Sequence, residues 1–396
     1  MTSPSAPDRP DAAAAAGEAR LVLGLMSGMS MDGLDVALVR LTGHGERPDV
    51  ELLGARTLGY PEALRARLQA ARGPASAESA ALDTELPEIW AQGVRDWLAA
   101  EGVAAGAIAG LGSHGQTLFH RPRVDGAAAE TLQVGRGDVL AARTGIRTVC
   151  DFRQADIVAG GEGAPLVPMA DWILHAGDTT TACNNLGSIS NVTVLPPARE
   201  AIMAFDTGPA NMLIDAFARR IDGRIDRDGA LSAQGTIDED VLLTLYVQRA
   251  GWLAQPPPKS AGYGTFGPQL VDFVLAEHPD ARAHDLVRTA VEFTARTLSE
   301  AYARFVLTRF PDLQRVRFSG GGTRNPTLMQ AIRVHLAGLG VAVEVIEGEL
   351  NDAKEAVAFA LLADRTLRGL PGNVPSATGA EHAVVLGRLH EPEPAA

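Results

Sequence analysis

One carboxylate, that of Asp206, lies at a position where α/β proteins commonly have their active sites. Asp206 follows an apolar run at residues 201–205 that predicts a short buried strand, and the Thr207-Gly208 turn comes directly after it. Pro209 is expected to be the first residue of the next helix, because its φ is preset and it has no N–H to lose. Ligands bind at the carboxyl ends of strands in open α/β sheets, and helix N-termini favour anions. Asp206 and Gly208 are therefore candidate site residues; an aspartate that merely caps an ordinary strand–turn–helix junction is the alternative.

A turn rich in glycine and hydroxyl groups lies near the start of the chain. Residues 20–26 predict a strand, residues 27–33 a turn and residues 34–39 a second strand. N–H groups exposed in such a turn can cradle phosphate oxygens, and two of its carboxylates could hold Mg²⁺ through water. The candidate nucleotide-binding residues are Gly28, Met29, Ser30, Met31, Asp32, Gly33, Leu34 and Asp35, with Asp32 and Asp35 as the carboxylates. A plain β-hairpin is the alternative.

Two further segments carry polar side chains with little bulk around them. His114 and Gln116 follow a predicted strand at residues 108–111, and the glycines beside them favour contact with a ligand. Residues 156–166 predict a loop with little packing of its own, the kind of segment that contacts a substrate. Arg153, Asp156 and Glu162 are candidates to hydrogen-bond a polar ligand there, with solvation of the loop as the alternative.

The second half of the chain repeats the form of the first. Residues 181–195 predict another strand–turn–strand unit around Gly187, which suggests two related domains that face each other across a cleft. Gly320, Gly321 and Gly322 follow a predicted strand, with Asn325 in the same turn, and glycines there let a flat ring and a ribose approach the backbone. Residues 352–363 predict an alanine-rich helix in a hinge region, whose Glu355 either belongs to the site or favours the helix dipole. Lys259, in a proline-rich loop, is expected to be solvated, and a side chain that reaches toward the cleft is the alternative.

Length and composition limit the classes of protein. With 396 residues, 46% hydrophobic residues and 42 glycines, the chain suits a compact, turn-rich α/β protein of two domains. A formal net charge of -13 argues against a nucleic-acid partner. Cys150 and Cys183 have no C-x-x-C spacing, and the chain shows neither a secretory signal nor an apolar run of membrane-spanning length. We therefore expect a cytoplasmic protein with no membrane partner. The predicted division is a disordered tail at 1–19 and domains at 20–180 and 181–396, with a helix near 353–370 that packs back on the first domain.

Seven strings of this sequence resemble one family. They are GLMSGMSMDGLDVAL, GSHGQTLFHRP, DFRQADIVAGGEGAPLVP, FDTGPANMLIDA, DRDGALSAQG, SGGGTRNPTLM and EAVAFALLA. Together and in this order they resemble the anhydro-N-acetylmuramic acid kinases, over a stretch from about residue 20 to about residue 380. The order of the elements is similar to that of the actin-like ATPases, which implies a two-domain α/β fold with an active-site cleft between the domains.

The resemblance implies an activity and assigns roles to residues. The activity is the ATP-dependent opening of 1,6-anhydro-N-acetylmuramic acid with phosphorylation of O6, in peptidoglycan recycling and amino sugar metabolism. Asp206 would be the base that activates water, Glu355 a second acidic site residue, residues 28–35 the phosphate-binding turn and Gly320–Gly322 the adenosine contact. The implied cofactors are ATP and Mg²⁺, the implied partner is a small sugar, and a homodimer is a family expectation.

The sequence departs from the family pattern at three places. Met29 stands where a threonine is usual, and Ser188 replaces a common glycine. Residues 261–264 read Ala-Gly-Tyr-Gly where the family usually has Thr-Gly-Arg-Glu, which puts a loop contact in doubt. Two other readings keep the ATP site: a kinase with another sugar or acid as acceptor, and a non-enzymatic ATP-binding module. Asp206 disfavours the second of these, because a switch needs no carboxylate aimed at water.

Overall fold

The structure is a computed structural model that describes residues 19–123 and 127–392. The tail predicted at residues 1–19 therefore lies, except for its last residue, outside the described residues. Within the described ranges, twelve strands form a seven-stranded and a five-stranded sheet. The strands are β1 (Arg20–Ser27), β2 (Gly33–Thr42), β3 (Asp49–Gly59), β4 (Ile108–Arg121), β5 (Glu130–Val134), β6 (Thr148–Cys150), β7 (Thr181–Leu186), β8 (Ile189–Leu195), β9 (Met203–Pro209), β10 (Arg315–Ser319), β11 (Ala342–Val345) and β12 (Arg388–His390).

Helices connect and cover these strands. They are α1 (Glu62–Ala70), α2 (Ala77–Ala100), α3 (Gly137–Thr144), α4 (Phe152–Val158), α5 (Val167–His175), α6 (Asn211–Asp222), α7 (Glu239–Ala254), α8 (Tyr263–Phe266), α9 (Pro268–Glu277), α10 (Ala283–Ala301), α11 (Pro326–Ala337), α12 (Glu349–Leu367) and α13 (Pro375–Thr378). A π-helical segment, Tyr302–Val306, continues α10. No helix in the two described stretches is long and apolar enough to cross a bilayer.

The first sheet has the order β12-β6-β4-β1-β2-β3, and β5 pairs with β4. The predicted hairpin at its centre is present, since β1 and β2 pair antiparallel from Arg20–Leu41 to Met26–Asp35. β4 runs parallel to β1 and β6, so the carboxyl ends of these three strands lie along one edge.

The second sheet has the order β11-β10-β7-β8-β9, and its β7–β8 pair is the second predicted hairpin. The prediction that Pro209 begins a helix is wrong. Pro209 pairs with Ile189 at the end of β9, and α6 begins at Asn211. Pairing with β8 thus extends the strand past the residue that local φ preference marked as a helix start.

Side-chain caps mark the start of two long helices. Ser76 caps α2, which begins at Ala77, and exchanges hydrogen bonds with Ser79. Asp238 caps α7, which begins at Glu239. The loop predicted at 156–166 begins later than expected, because residues 156–158 form the last part of α4.

The alanine-rich helix α12 packs closely on the first sheet because two glycines face it. A Cβ on Gly24 would lie 1.8 Å from the carbonyl oxygen of Ala356, and one on Gly112 would lie 2.1 Å from that of Phe359. The hydrophobic core that contains α12 also includes Val22 of the first sheet and Cys183 of the second. α12 therefore lies between the two sheets. The predicted mixed α/β class with two sheets is confirmed, whereas the domain boundary near residue 180 stays a prediction.

Candidate active site

The predicted site residues lie at the ends of strands that share an edge. In the first sheet, Ser27 at the end of β1 is level with Gln116 of β4. In the second sheet, Ser319 at the end of β10 is level with Asn185 of β7. Gly208, near the end of β9, is level with Ser190 at the start of β8. Each sheet therefore presents its polar turns at one edge, where open α/β sheets bind ligands.

Buried polar side chains support the turn between β1 and β2. The Ser27 hydroxyl donates to Gln116 Oε1 at 2.6 Å and lies 2.8 Å from the Tyr60 hydroxyl. Gln116 Nε2 donates to the carbonyl oxygen of Gly28 at 3.1 Å. Gln116 is fully buried and thus supports the turn. Its predicted contact with substrate stays a prediction.

The turn itself exposes the residues predicted to contact phosphates. Met29 is 52% exposed, and Ser30 and Asp32 are exposed too, with the Ser30 hydroxyl 2.6 Å from Asp32 Oδ1. Met31 has a φ of 55°, and its N–H donates to the carbonyl oxygen of Gly28 at 3.2 Å. The methionine that replaces the usual threonine at position 29 is therefore a solvent-exposed side chain.

His114 and Arg153 form a pair behind this turn. Arg153 Nη2 lies 3.0 Å from His114 Nε2, and His114 Nδ1 lies 3.0 Å from the carbonyl oxygen of Gly115. Burial and the neighbouring guanidinium lower the pKa of His114 to about 3, so the imidazole is neutral. Nδ1 then donates and Nε2 accepts, and His114 orients Arg153. Burial also lowers the pKa of Arg153, to about 10, against the raising effect of Glu355.

Glu355 of α12 is within electrostatic reach of both Asp35 and Arg153. Part of the Glu355 side chain is exposed, but the surrounding protein displaces water from its carboxylate, which raises its pKa; Asp35 raises it further, and Lys354 and Arg153 oppose the rise. Desolvation likewise raises the pKa of the half-buried Asp35, and Asp32 and Asp352 raise it further, while the Thr57 hydroxyl opposes them with a 2.5 Å hydrogen bond. The carboxylates of β2 and α12 therefore concentrate negative charge in this part of the structure.

Asp206 lies on β9, in the second sheet, and is bound by a loop. Its Oδ2 accepts the Ala261 N–H at 2.6 Å, and its own N–H donates to the carbonyl oxygen of Lys259 at 3.0 Å. Burial raises the pKa of Asp206 to about 7, against the lowering effects of the Ala261 N–H and the Lys259 charge. Because the Ala261 contact is made by the backbone, alanine in place of the usual threonine leaves it intact.

The second turn rests on a buried polar network. The Thr207 hydroxyl donates to Ser190 Oγ at 2.7 Å, and Asn184 Nδ2 donates to the same oxygen at 3.0 Å. The carbonyl oxygen of Gly187 accepts the N–H of Asn211, the first residue of α6, at 3.0 Å. A Cβ on Gly208 would lie 2.5 Å from Thr297 Oγ1, so this glycine is also required by packing.

The triple glycine has a steric explanation at two of its three positions. A Cβ on Gly320 would lie 2.4 Å from Asn185 Oδ1, and one on Gly322 would lie 2.7 Å from Leu186 Cβ. Gly321 is exposed, with only Asn211 Nδ2, at 3.9 Å, near such a Cβ. The turn therefore packs against the end of β7, and its exposed member is Gly321.

Asn325 and the loop at 156–166 serve mainly to build the site. Asn325 caps α11 by accepting the Leu328 N–H at 3.0 Å. The prediction that Asp156 faces a ligand is wrong, because its carboxylate is fully buried and accepts the Gly163 N–H at 2.8 Å and the Thr378 hydroxyl at 2.7 Å. Glu162 is half-buried; its carboxylate accepts the Arg123 N–H at 2.7 Å, and its predicted substrate contact stays a prediction.

Sequence reasoning missed two lysines. Lys259, expected to be solvated, is only 8% exposed, and its ammonium lies 4.3 Å from the centre of the Trp252 ring. Lys354 is 6% exposed, and its Nζ lies 2.9 Å from Asp171 Oδ1. The only signals in the sequence are that Lys354 precedes Glu355 and that Lys259 lies two residues before the segment 261–264 that departs from the family pattern, and neither reveals burial.

The fold and the site together define the class of protein. It is a two-sheet α/β protein with glycine turns and carboxylates at the edges of its sheets, where α/β enzymes bind small molecules. A model of the anhydro-N-acetylmuramic acid kinase family matches residues 20–392. A relative from Gloeobacter violaceus, named anhydro-N-acetylmuramic acid kinase, is 42% identical over 382 residues, which cover 93% of this chain and 98% of the relative. A relative of the same name from Caldanaerobacter subterraneus is 39% identical over 387 residues, 94% of this chain and 97% of the relative.

Solved structures give a weaker likeness. The component A of (R)-2-hydroxyglutaryl-CoA dehydratase from Acidaminococcus fermentans covers 88% of this chain at 11% identity, with 99% of its own chain covered and a TM-score of 0.45. A score of this size supports no inference. The sequence matches are sufficient by themselves, and the chain belongs to the anhydro-N-acetylmuramic acid kinase family, a family of sugar kinases.

Proposed function

We propose that this protein uses ATP to open the 1,6-anhydro ring of anhydro-N-acetylmuramic acid and to phosphorylate O6, giving N-acetylmuramic acid 6-phosphate and ADP. Membership of the family from residue 20 to 392 supports the reaction. The structural observation that carries the proposal is Asp206, a carboxylate at a sheet edge with a pKa of about 7. A general base is most effective when its pKa is near the working pH.

In the proposed reaction, Asp206 takes a proton from water while the water oxygen attacks the anomeric carbon. The bond from that carbon to O6 breaks, and O6 attacks the γ-phosphorus of ATP as ADP leaves. The proton on Asp206 then passes to solvent. The Ala261 N–H, 2.6 Å from Oδ2, fixes the carboxylate so that its other oxygen can face the water.

The first turn and the triple glycine are proposed as the nucleotide contacts. Gly28 to Asp35 would hold the phosphates through exposed N–H and hydroxyl groups, and Gly321 is the glycine free to approach the adenosine. Arg153 would neutralise negative charge that develops on the phosphoryl group, with neutral His114 as its support. His114 would thus act on the substrate through Arg153.

Asp32, Asp35 and Glu355 fit a requirement for Mg²⁺. Carboxylate oxygens are the donors that Mg²⁺ prefers, Asp35 is within electrostatic reach of both Asp32 and Glu355, and the raised pKa of Asp35 and of Glu355 comes in part from neighbouring negative charge. When bound with ATP, the cation would offset the charge of the phosphates. The cytoplasmic location and the homodimer expected from the family stay predictions.

Mass spectrometry tests the proposal directly. The protein is incubated with Mg-ATP and 1,6-anhydro-N-acetylmuramic acid, and the products expected are ADP and the 6-phosphate in equal amounts. A protein that binds ATP but makes no sugar phosphate would sink the proposal and favour another acceptor or a binding module.

A further inference from the structure

Lysine is rare in this chain and is confined to its interior. The sequence has 35 lysines and arginines together, and only Lys259 and Lys354 are lysines. Both are buried, with 8% and 6% of their surface exposed, although lysine is ordinarily one of the most exposed residues. Lysine differs from arginine in carrying a compact charge whose pKa shifts readily on burial. We therefore ask what a compact buried cation does at each of the two positions.

Lys354 has an evident structural partner. Its Nζ lies 2.9 Å from Asp171 Oδ1, and Asp171 is itself 2% exposed. Attraction to Asp171 contributes to raising the pKa of Lys354, against the opposing effect of burial. This lysine is half of a buried ion pair, and its charge is neutralised there.

Among the residues that the structure describes, Lys259 has no ion-pair partner like Asp171. Its Nζ donates to the carbonyl oxygen of Leu253 at 3.2 Å, and it lies 4.3 Å from the centre of the Trp252 ring and 5.0 Å from that of Phe305. A carbonyl dipole and two aromatic faces stabilise a cation but leave its net charge in place. That charge then acts on the groups around it.

Backbone groups of Lys259 and Ala261 bind Asp206. The carbonyl oxygen of Lys259 accepts the Asp206 N–H at 3.0 Å, and the Ala261 N–H donates to Asp206 Oδ2 at 2.6 Å. Between them, the carbonyl oxygen of Ser260 accepts the Trp252 indole N–H at 2.9 Å. The Lys259 side chain, in contact with α7 and with the π-helical segment, thus anchors the loop whose backbone binds Asp206.

The surroundings of Lys259 include two further charged groups. A cavity of about 60 Å³ is lined by Lys259 and Thr207 together with Glu300 and Arg304 of α10 and its π-helical extension. Burial and the charge of Arg304 lower the pKa of Lys259 to about 8, against the raising effect of Asp206. Glu300 is exposed and accepts the Tyr246 hydroxyl at 2.7 Å.

We propose that Lys259 is a positioning residue for Asp206: it fixes the loop that binds the carboxylate and supplies a buried positive charge that favours the ionised form of this carboxylate. The proposal rests on the proposed function, in which Asp206 is the base. It also explains why the loop tolerates Ala-Gly-Tyr-Gly at 261–264, because the contacts it needs come from the lysine side chain and from backbone atoms.

The kinetic test compares Lys259→Met with Lys259→Arg. Methionine keeps the apolar stem but removes the charge, so the acidic limb of the kcat–pH profile is expected to move up by about one pH unit, the lower end for loss of a nearby opposite charge. Turnover at pH 6.5 should then fall about tenfold more than turnover at pH 9, and the KM for ATP should not change. In Lys259→Arg the acidic limb should lie close to its wild-type position. Arg309→Met is the matched control, because Arg309 also lies over a phenylalanine ring, 5.4 Å from its centre, but in a different part of the chain. Loss of turnover by the same factor at every pH would overturn the proposal.

A measurement on the resting protein separates this inference from the proposed function. ¹³C NMR of aspartate carboxyl carbons, with the Asp206 signal assigned by its loss in Asp206→Asn, follows the carboxylate without any turnover. The Asp206 titration should move to higher pH in Lys259→Met and stay unchanged in Arg309→Met. With ¹³Cε-lysine, the chain's two lysines give two signals, and the one lost in Lys259→Met should titrate near pH 8. An unmoved Asp206 titration overturns the positioning role; a moved one in a protein that phosphorylates no sugar leaves it standing while the proposed function fails.

Discussion

Replacing Asp206 with asparagine should stabilise the protein while removing its activity. The pKa of this carboxyl rises from 3.8 to about 7 because burial penalises the charged form. At about 1.4 kcal/mol per pKa unit, the folded protein carries up to about 4 kcal/mol of unfavourable free energy when Asp206 is ionised. Asparagine keeps the shape and can still accept the Ala261 N–H, but it carries no charge to desolvate.

The sign of the pH dependence follows from proton binding. Between about pH 4 and pH 7, the unfolded chain has lost the proton that folded Asp206 still holds, so the stability of the wild type falls as pH rises. The variant lacks this term. The stability of Asp206→Asn relative to the wild type should therefore increase by about 3 kcal/mol between pH 5 and pH 8.

Urea denaturation at both pH values measures this difference. Asp240→Asn, at the exposed start of α7, is the matched control for the loss of one carboxylate and should show no such increase. Activity at pH 8 should fall by about 10²- to 10⁴-fold, the usual contribution of a general base. A stability difference that does not change with pH would refute the reasoning, because the raised pKa would then not reflect a cost of ionisation.

Three other outcomes follow from the structure. Lys354→Met leaves Asp171 buried without its cation and should cost about 3 to 5 kcal/mol in urea denaturation, most of which Asp171→Leu in the same chain should recover. Gly112→Ala would place a Cβ 2.1 Å from a carbonyl oxygen of α12 and should lower the Tm by many degrees, whereas Gly251→Ala, in α7 with open space around it, should raise the Tm slightly. ¹⁵N NMR should find His114 neutral from pH 5 to pH 8, since its pKa is about 3, and a titration near pH 6.5 would contradict the buried geometry.

The parts of the fold that depend on local pattern could be predicted from the sequence. Both hairpins, the glycine turns after β1 and β10, and the alanine-rich helix α12 were visible as alternations and punctuation along the chain. Pro209 shows the limit of prediction from local pattern. Its φ suits a helix start as well as the end of a strand, and pairing with Ile189, which is 20 residues earlier, decides for the strand.

Burial of charge could not be predicted in this way. Lys259 follows three prolines, which marks a surface loop, but its ammonium is covered by Phe305, a residue far along the chain. Asp156 was expected to bind a ligand because it begins a segment predicted as a loop with little packing, whereas Thr378 and Asn373 reach it from beyond α12. In both cases the decisive contacts are tertiary and carry no local signature.

One turn of α12 links the two sheets at the site. Lys354 is fixed by Asp171 at 2.9 Å and lies 3.4 Å from Ser319 Oγ, at the end of β10 in the second sheet. The next residue, Glu355, is within electrostatic reach of Asp35 and Arg153, which belong to the first half of the chain. Because α12 packs closely on the first sheet, which also carries Asp35, Glu355 and Asp35 keep their spacing when the second sheet shifts relative to the first. The contact that such a shift would change is the one between Lys354 and Ser319, so the placement of the two sheets affects the surroundings of Lys354 rather than the charge around the predicted phosphate turn.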